Sequence, residues 1–158
     1  MLFVPMMCCF LQFAAPERRA AGYVAAVFAG MYAAIILLVY FAQLTTVRFG
    51  VLTEQAQILL DFRQMNLFFS FDLLDYALMS LATFFAGLTV CPRSRTDRWL
   101  RALLLIHGVF FISCLLMPML GVFRADSPAW IGTVVLEFWC AYFCPVAVLS
   151  RRYFQKIN

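Results

Sequence analysis

Four side chains in this 158-residue chain are placed to carry proton or ion chemistry from inside long apolar runs: Asp72, Asp75, His107 and Glu137. Ionisable groups within a membrane are costly, so such positions are functional candidates by default. Asp72 and Asp75 lie one turn apart, and Tyr76, Ser80 and Thr83 follow them at helical spacing. Asp75 and Glu137 each fall about eight residues inside the outer boundary of their runs, roughly 12 Å deep at 1.5 Å per residue. Two carboxyls close together in a dry interior do not readily both ionise. The pattern predicts a shared polar site for Asp75 and Glu137. The alternative is that each bonds a neighbouring hydroxyl or backbone group, or reaches towards Arg63 or Arg124.

His107 is the only histidine, which excludes bis-His haem ligation within one chain. It reads as an interior histidine near the cytoplasmic end of its helix, with Cys114, Pro118 and Gly121 on about the same face. Pro118 is expected to kink that helix and free a carbonyl near Cys114. Cys140 and Cys144 share a helix face with Glu137, a spacing that suits either a soft metal or, more simply, small-residue packing. The six cysteines contain no CxxC pair, and no disulfide framework, zinc site or cofactor is expected. The hydrolase, zinc-protease, phosphate-loop and dinucleotide signatures are absent from the sequence. The single lysine, Lys156, lies outside every apolar run, so no retinal-type Schiff base is expected.

The elements that must position these groups are membrane helices. The chain is 65% hydrophobic and 13% charged, against about 45–50% and about 25% in soluble domains. A soluble fold of this length does not hide so much apolar surface, whereas lipid removes the need. About 20 apolar residues span a bilayer core. Residues 21–45, 67–90, 102–123 and 129–150 meet that length. The opening residues 1–15 reach only about 22 Å as a helix and read as a short or N-terminally truncated span ended by Pro16. The expected fold is all-α: a single polytopic transmembrane bundle of about five helices, with a short extracytoplasmic amphipathic helix. That helix is signalled by Thr53 as N-cap, Glu54 in the first turn, and Leu52, Ala56, Leu59, Leu60 and Phe62 near helical spacing.

The net charge of +4 is arranged as short arginine clusters, with no basic stripe interleaved with aromatics, so nucleic-acid binding is not indicated. Nine basic residues fall in one set of segments: Arg18, Arg19, Arg93, Arg95, Arg98, Arg101, Arg151, Arg152 and Lys156. Only Arg48, Arg63 and Arg124 fall in the other. The bias predicts a cytoplasmic C-terminus and an N-terminus outside.

Helix contacts in lipid favour small residues. Gly22, Ala26, Gly30 and Ala34 form one such stripe, with Ala25, Ala29 and Ala33 beside it. On the run 67–90, Asp72, Asp75, Tyr76, Met79, Ser80, Ala82, Thr83, Ala86 and Gly87 share the half expected to face the bundle. Leu73, Leu74, Ala77, Leu78, Leu81, Phe84, Phe85 and Leu88 share the half expected to face lipid.

YFAQLTTVR at 40–48, FDLLDYALMSLATFFAG at 71–87, DRWLRALLLIHGV at 97–109 and the last apolar helix ending in RRYFQK together resemble a loosely defined family of small bacterial multi-pass membrane proteins of unknown function. The resemblance runs from about Pro16 onward, where such proteins often carry one complete helix before the equivalent position. It implies a bacterial inner membrane and brings no activity or catalytic residue. The expected function is association, as a homo-oligomer or accessory subunit of another membrane protein. A transport or proton-coupled role for Asp72, Asp75 and Glu137 is the alternative. A lipid-acting enzyme would need a lateral opening beside His107 or the carboxylates.

Overall fold

A computed structural model describes residues 2–60, 67–121 and 130–157. Arg63, Phe62 and Arg124 lie outside the described residues, as do the ends assigned above to residues 123 and 129. Every regular element described is helical. They are α1 (Phe3–Gln12), a 3-10 turn (Pro16–Arg18), α2 (Arg19–Ala42), a π-helical turn (Gln43–Val47), α3 (Glu54–Leu60), α4 (Leu67–Thr89), α5 (Arg95–His107), α6 (Phe110–Met119) and α7 (Trp130–Ile157). Among the described residues, four helical stretches are long and apolar enough to cross a membrane: Pro16–Val47, Leu67–Thr89, Arg95–Met119 and Thr133–Ile157. By length and composition, these are consistent with an integral membrane protein. The apolar α1, with ten residues, is shorter, yet it inserts Met7 and Phe10 into the main core.

α4 is the centre of the bundle. It packs against α2 most extensively, and against α1, α5 and α6. Ten of its residues are buried, against four in α2. Its mean hydropathy, 1.4, is the lowest of the four spans, because its polar half faces protein rather than lipid. Asp75, Met79, Ser80, Ala82, Thr83, Ala86 and Gly87 are buried as expected, while Asp72 and Tyr76 are half-buried. Ala77 and Leu78, assigned above to lipid, are buried too. A helix flanked by several neighbours has a burial arc wider than one half-cylinder.

The small-residue stripe on α2 is buried only in part within this chain. Gly22, Ala25 and Ala29 are buried, Ala26 is half-buried, and Gly30 and Ala34 are exposed. A spacing of four advances about 400° rather than 360°, so a strict i+4 stripe drifts about 40° per step. Gly22 remains at the seam, where a Cβ would lie 2.9 Å from Leu11 Cα.

The run from Arg95 to Met119 is interrupted at a point away from Pro118. Pro118 sits in the last turn of α6, just before Gly121 takes a positive φ of 67°. The helix instead breaks at Gly108 and Val109, where i→i−3 bonds join Gly108 to Leu105, Val109 to Ile106 and Phe111 to Gly108. A Cβ at Gly108 would come within 2.7 Å of the Phe84 ring. Close packing on α4 therefore favours glycine at this tightened turn.

The basic segments gather at one end of the bundle. Arg18 donates to the Leu88 and Val90 carbonyls at 3.1 Å each. The Cys91 amide donates to the Tyr153 hydroxyl at 3.3 Å. Ser94 and Asp97 form a reciprocal capping box at the start of α5. Lys156 closes it, donating to Asp97 Oδ1 at 3.0 Å, to Ser94 at 3.0 Å and to Thr96 at 3.1 Å. On α3, Thr53 caps through its Oγ to the Ala56 amide at 3.3 Å, and Gln43 donates to the Leu60 carbonyl at 2.6 Å. Leu52, Ala56 and Leu60 are half-buried, but Leu59 is exposed.

Candidate functional site

α4 supplies the polar wall of the interior. Ser80 and Thr83 turn their hydroxyls onto carbonyls of their own helix, Tyr76 O at 2.9 Å and Ser80 O at 2.8 Å. In a bilayer this is a direct way to satisfy a hydroxyl, since no water competes. Asp75 has no such recourse. It has no solvent exposure, and neither carboxylate oxygen has a hydrogen-bond partner among the described residues. Its electrostatic neighbours are Asp72 and Tyr76 on α4, Tyr32 and Tyr40 on α2, and Cys114 on α6.

Below this group lies His107. Its Nδ1 is 2.7 Å from Thr83 Oγ1. The single hydroxyl proton of Thr83 is already given to the Ser80 carbonyl. Thr83 Oγ1 therefore accepts, and Nδ1–H donates. The neutral imidazole is then the Nδ1–H tautomer, and Nε2 carries a free lone pair. Nε2 is buried without a partner among the described residues. The ring sits among Phe143, Phe110, Tyr142 and Trp139, at centroid distances of 5.0, 5.4, 5.4 and 6.0 Å. The Tyr142 hydroxyl donates to the Leu103 carbonyl at 2.7 Å.

Trp139 joins the two regions, and the sequence reading missed it. Its ring centroid lies 4.0 Å from that of Tyr76 and 6.0 Å from that of His107. It is 5% exposed, and its indole N–H is a third buried group without a partner. The available signal was its position two residues from Glu137, on the other side of the same helix.

Glu137 does not join Asp75. It is exposed, whereas Asp75 is sealed. The reason is the face that α7 presents. Trp139, Val146, Ser150 and Tyr153 are its buried residues, and Val146 is nine residues from Glu137, about 180° around the helix. Thr133 to Phe138 are all exposed. That run exceeds one turn, so this part of α7 is largely exposed around its circumference, although Phe138 still meets the Phe110 ring at 5.8 Å. Cys140 and Cys144 are exposed as well. No group of three or more His, Cys, Asp and Glu side chains is arranged to hold a metal among the described residues.

Two grooves open on the surface. One, of about 290 Å³, is bounded by Phe3 and Val4 of α1 and by Tyr32, Ile36 and Tyr40 of α2. The tyrosines on its wall neighbour Asp75, but the carboxylate itself is not reached. The other, of about 510 Å³, lies between α1 and the Ser150–Phe154 end of α7, and its lining is largely apolar. It lies away from the carboxylates, and a lipid tail would suit such a lining.

The arrangement holds two titratable groups and one N–H donor in a closed interior, and a further carboxyl on the outer face. No protein-family model matches the chain, and no curated protein or solved structure matches it either.

Proposed function

We propose that this chain works by association within the membrane, as a homo-oligomer or an accessory subunit, through the outer face of α7. The observation that carries this reading is Glu137: a carboxyl on the exposed face of a spanning helix. Such a group is costly against lipid and gains most from a polar group on a neighbouring helix. Cys140, Ala141 and Cys144 beside it are small enough to let that helix come close. The reading includes five spans, with α1 as the short first one, α3 on the extracytoplasmic surface, and the arginine-rich end and C-terminus in the cytoplasm of a bacterial inner membrane. The arginine bias supports this orientation.

Native mass spectrometry of the protein released from mild detergent tests the proposal. A defined multiple of the 18.1 kDa chain, or a heteromeric complex, is expected, with dissociation on Glu137→Gln plus Cys144→Leu. A monomer in the wild type, or an assembly indifferent to both changes, refutes it.

The fully buried, unpartnered Asp75 favours a second reading: transport or proton coupling through Asp72 and Asp75.

A further inference from the structure

We infer that Asp75, Trp139 and His107 form one internal proton-exchange site, bridged by water, in which Nε2 of His107 is the proton-accepting end. The inference rests on the second reading above and specifies its ligand: a proton, carried as water or hydronium.

Three features carry it. First, the two contacts of Thr83 Oγ1 are both satisfied by one tautomer of His107. Thr83 gives its proton to the Ser80 carbonyl, so His107 donates through Nδ1 and presents a bare lone pair at Nε2. Second, three of the buried groups without a partner among the described residues complement one another: Nε2 of His107, the N–H of Trp139 and the carboxyl of Asp75. All three residues are at most 5% exposed. A buried water is held by two to four polar partners of this kind. Third, they lie in one continuous interior. The Trp139 ring packs at a tilt on Tyr76, the residue after Asp75, with centroids 4.0 Å apart, and its centroid is 6.0 Å from that of His107. Trp139 and Cys114 belong to one cluster, and Cys114 is an electrostatic neighbour of Asp75.

Asp75 and Thr83 are eight residues apart, about 12 Å of helical rise, too far for a direct bond between Asp75 and His107. A short water file past the Trp139 N–H spans that gap. In the exchange, the Asp75 carboxyl gives its proton to the adjacent water. A proton passes along the file, and the last water gives one to Nε2. Carboxylate and imidazolium result, and no proton is lost or gained. The reverse transfer restores the start. The titratable groups around the two ends are Asp72, Tyr76, Tyr32, Tyr40 and Cys114 at Asp75, and Tyr142 at His107.

Because the chain has one histidine, ¹⁵N-histidine labelling of the full protein in lipid nanodiscs gives a single imidazole spectrum. The expected result is magnetisation transfer from water to the imidazole in the wild type. A second inflection, belonging to the carboxyl, is expected in the His107 titration curve. Asp75→Asn should erase that inflection. Trp139→Phe, which keeps a ring but removes the N–H, should weaken the water transfer. An imidazole with no water contact, or a titration curve unchanged by Asp75→Asn in a protein with wild-type circular dichroism, overturns the inference. Proton uptake by vesicles holding the wild type or Asp75→Asn tests the second reading separately. If uptake depends on Asp75 while the imidazole stays dry, the carboxylate reading survives and the histidine bridge falls.

Discussion

Gly22→Ala should destabilise the fold, although alanine is the better helix former. The added Cβ would lie 2.9 Å from both Leu11 Cα and Leu11 Cδ1, and 3.2 Å from Leu11 Cβ. Carbon atoms rest at about 3.5–4.0 Å, so α1 must move away from α2 by roughly 0.6–1 Å. A clash with the side chain alone would be relieved by rotation, but a Cα moves only with its helix. Overpacking of this kind costs about 1–3 kcal/mol. Replacing glycine in a helix returns about 0.8–1 kcal/mol. The net loss is therefore up to about 2 kcal/mol, which at roughly 2–4 °C per kcal/mol for a chain of this size lowers Tm by up to about 8 °C.

Gly30 supplies the internal control. Spacing places it on the same stripe, yet nothing lies within 4 Å of its Cβ position. Gly30→Ala should leave Tm unchanged or raise it slightly. Thermal unfolding of both variants in detergent, followed by circular dichroism, makes the comparison. Leu11→Ala in the Gly22→Ala background should recover part of the loss and not all of it, because the clash with the Leu11 backbone remains. If Gly22→Ala melts at or above Gly30→Ala, α1 does not approach α2 as closely as 2.9 Å implies.

Thr83→Val should cost about 1–3 kcal/mol, because it strands the Nδ1–H of His107 in the interior; Thr83→Ser should recover most of that in a denaturant titration. The ¹⁵N shifts of the lone histidine should report the Nδ1–H tautomer at neutral pH, and a dominant Nε2–H tautomer would reverse the donor assignment at Thr83. Asp97→Ala should cost about 1–2 kcal/mol through the lost cap, whereas Lys156→Met should cost under about 1 kcal/mol, since the lysine is half-exposed; equal losses in chemical unfolding would show that the ion pair matters more than the cap. Gly108→Ala should lower Tm, and Phe84→Ala in the same chain should reduce the penalty, because the added Cβ meets the Phe84 ring.

What was legible in the sequence follows from what lipid enforces. Apolar length gave the long spans, and the polar half of α4 stood out because its other half is nearly all Leu, Phe and Ala. The arginine clusters gave segments that the bonds of Arg18, Tyr153 and Lys156 bring to one end. Faces were harder to read wherever a helix is apolar all round. α7 carries Val, Leu, Phe and Cys on every side, so counting gave Glu137 its depth but not its direction. Only packing shows that Trp139 and Val146 point inward. The α5–α6 break was missed for a related reason. Proline announces itself in a sequence, whereas the requirement at Gly108 comes from Phe84, twenty-four residues earlier. Ser94-Arg-Thr-Asp97 was readable as a capping box and was not singled out.

The outward and inward polar groups pose different physical problems. On the proposed reading, an exposed carboxyl such as Glu137 finds relief by meeting a neighbouring helix, so its cost falls when the protein assembles. Asp75 and His107 find no such relief, because docking on the outer surface brings them no new hydrogen-bond partner. Their demand has to be met inside the chain, by protons and water. α7 carries one group of each kind, Glu137 outward and Trp139 inward, two residues apart and about 200° apart around the axis. A helix that docks at Glu137 is therefore expected to shift the Trp139 ring, which packs on both Tyr76 and His107. If assembly occurs at Glu137, the separation of Trp139 and His107, 6.0 Å in the single chain, should differ between monomer and oligomer. Trp fluorescence quenching by His107, compared before and after dissociation with His107→Gln as reference, reads that distance. Identical quenching in both states would mean that the outer and inner faces of α7 act independently.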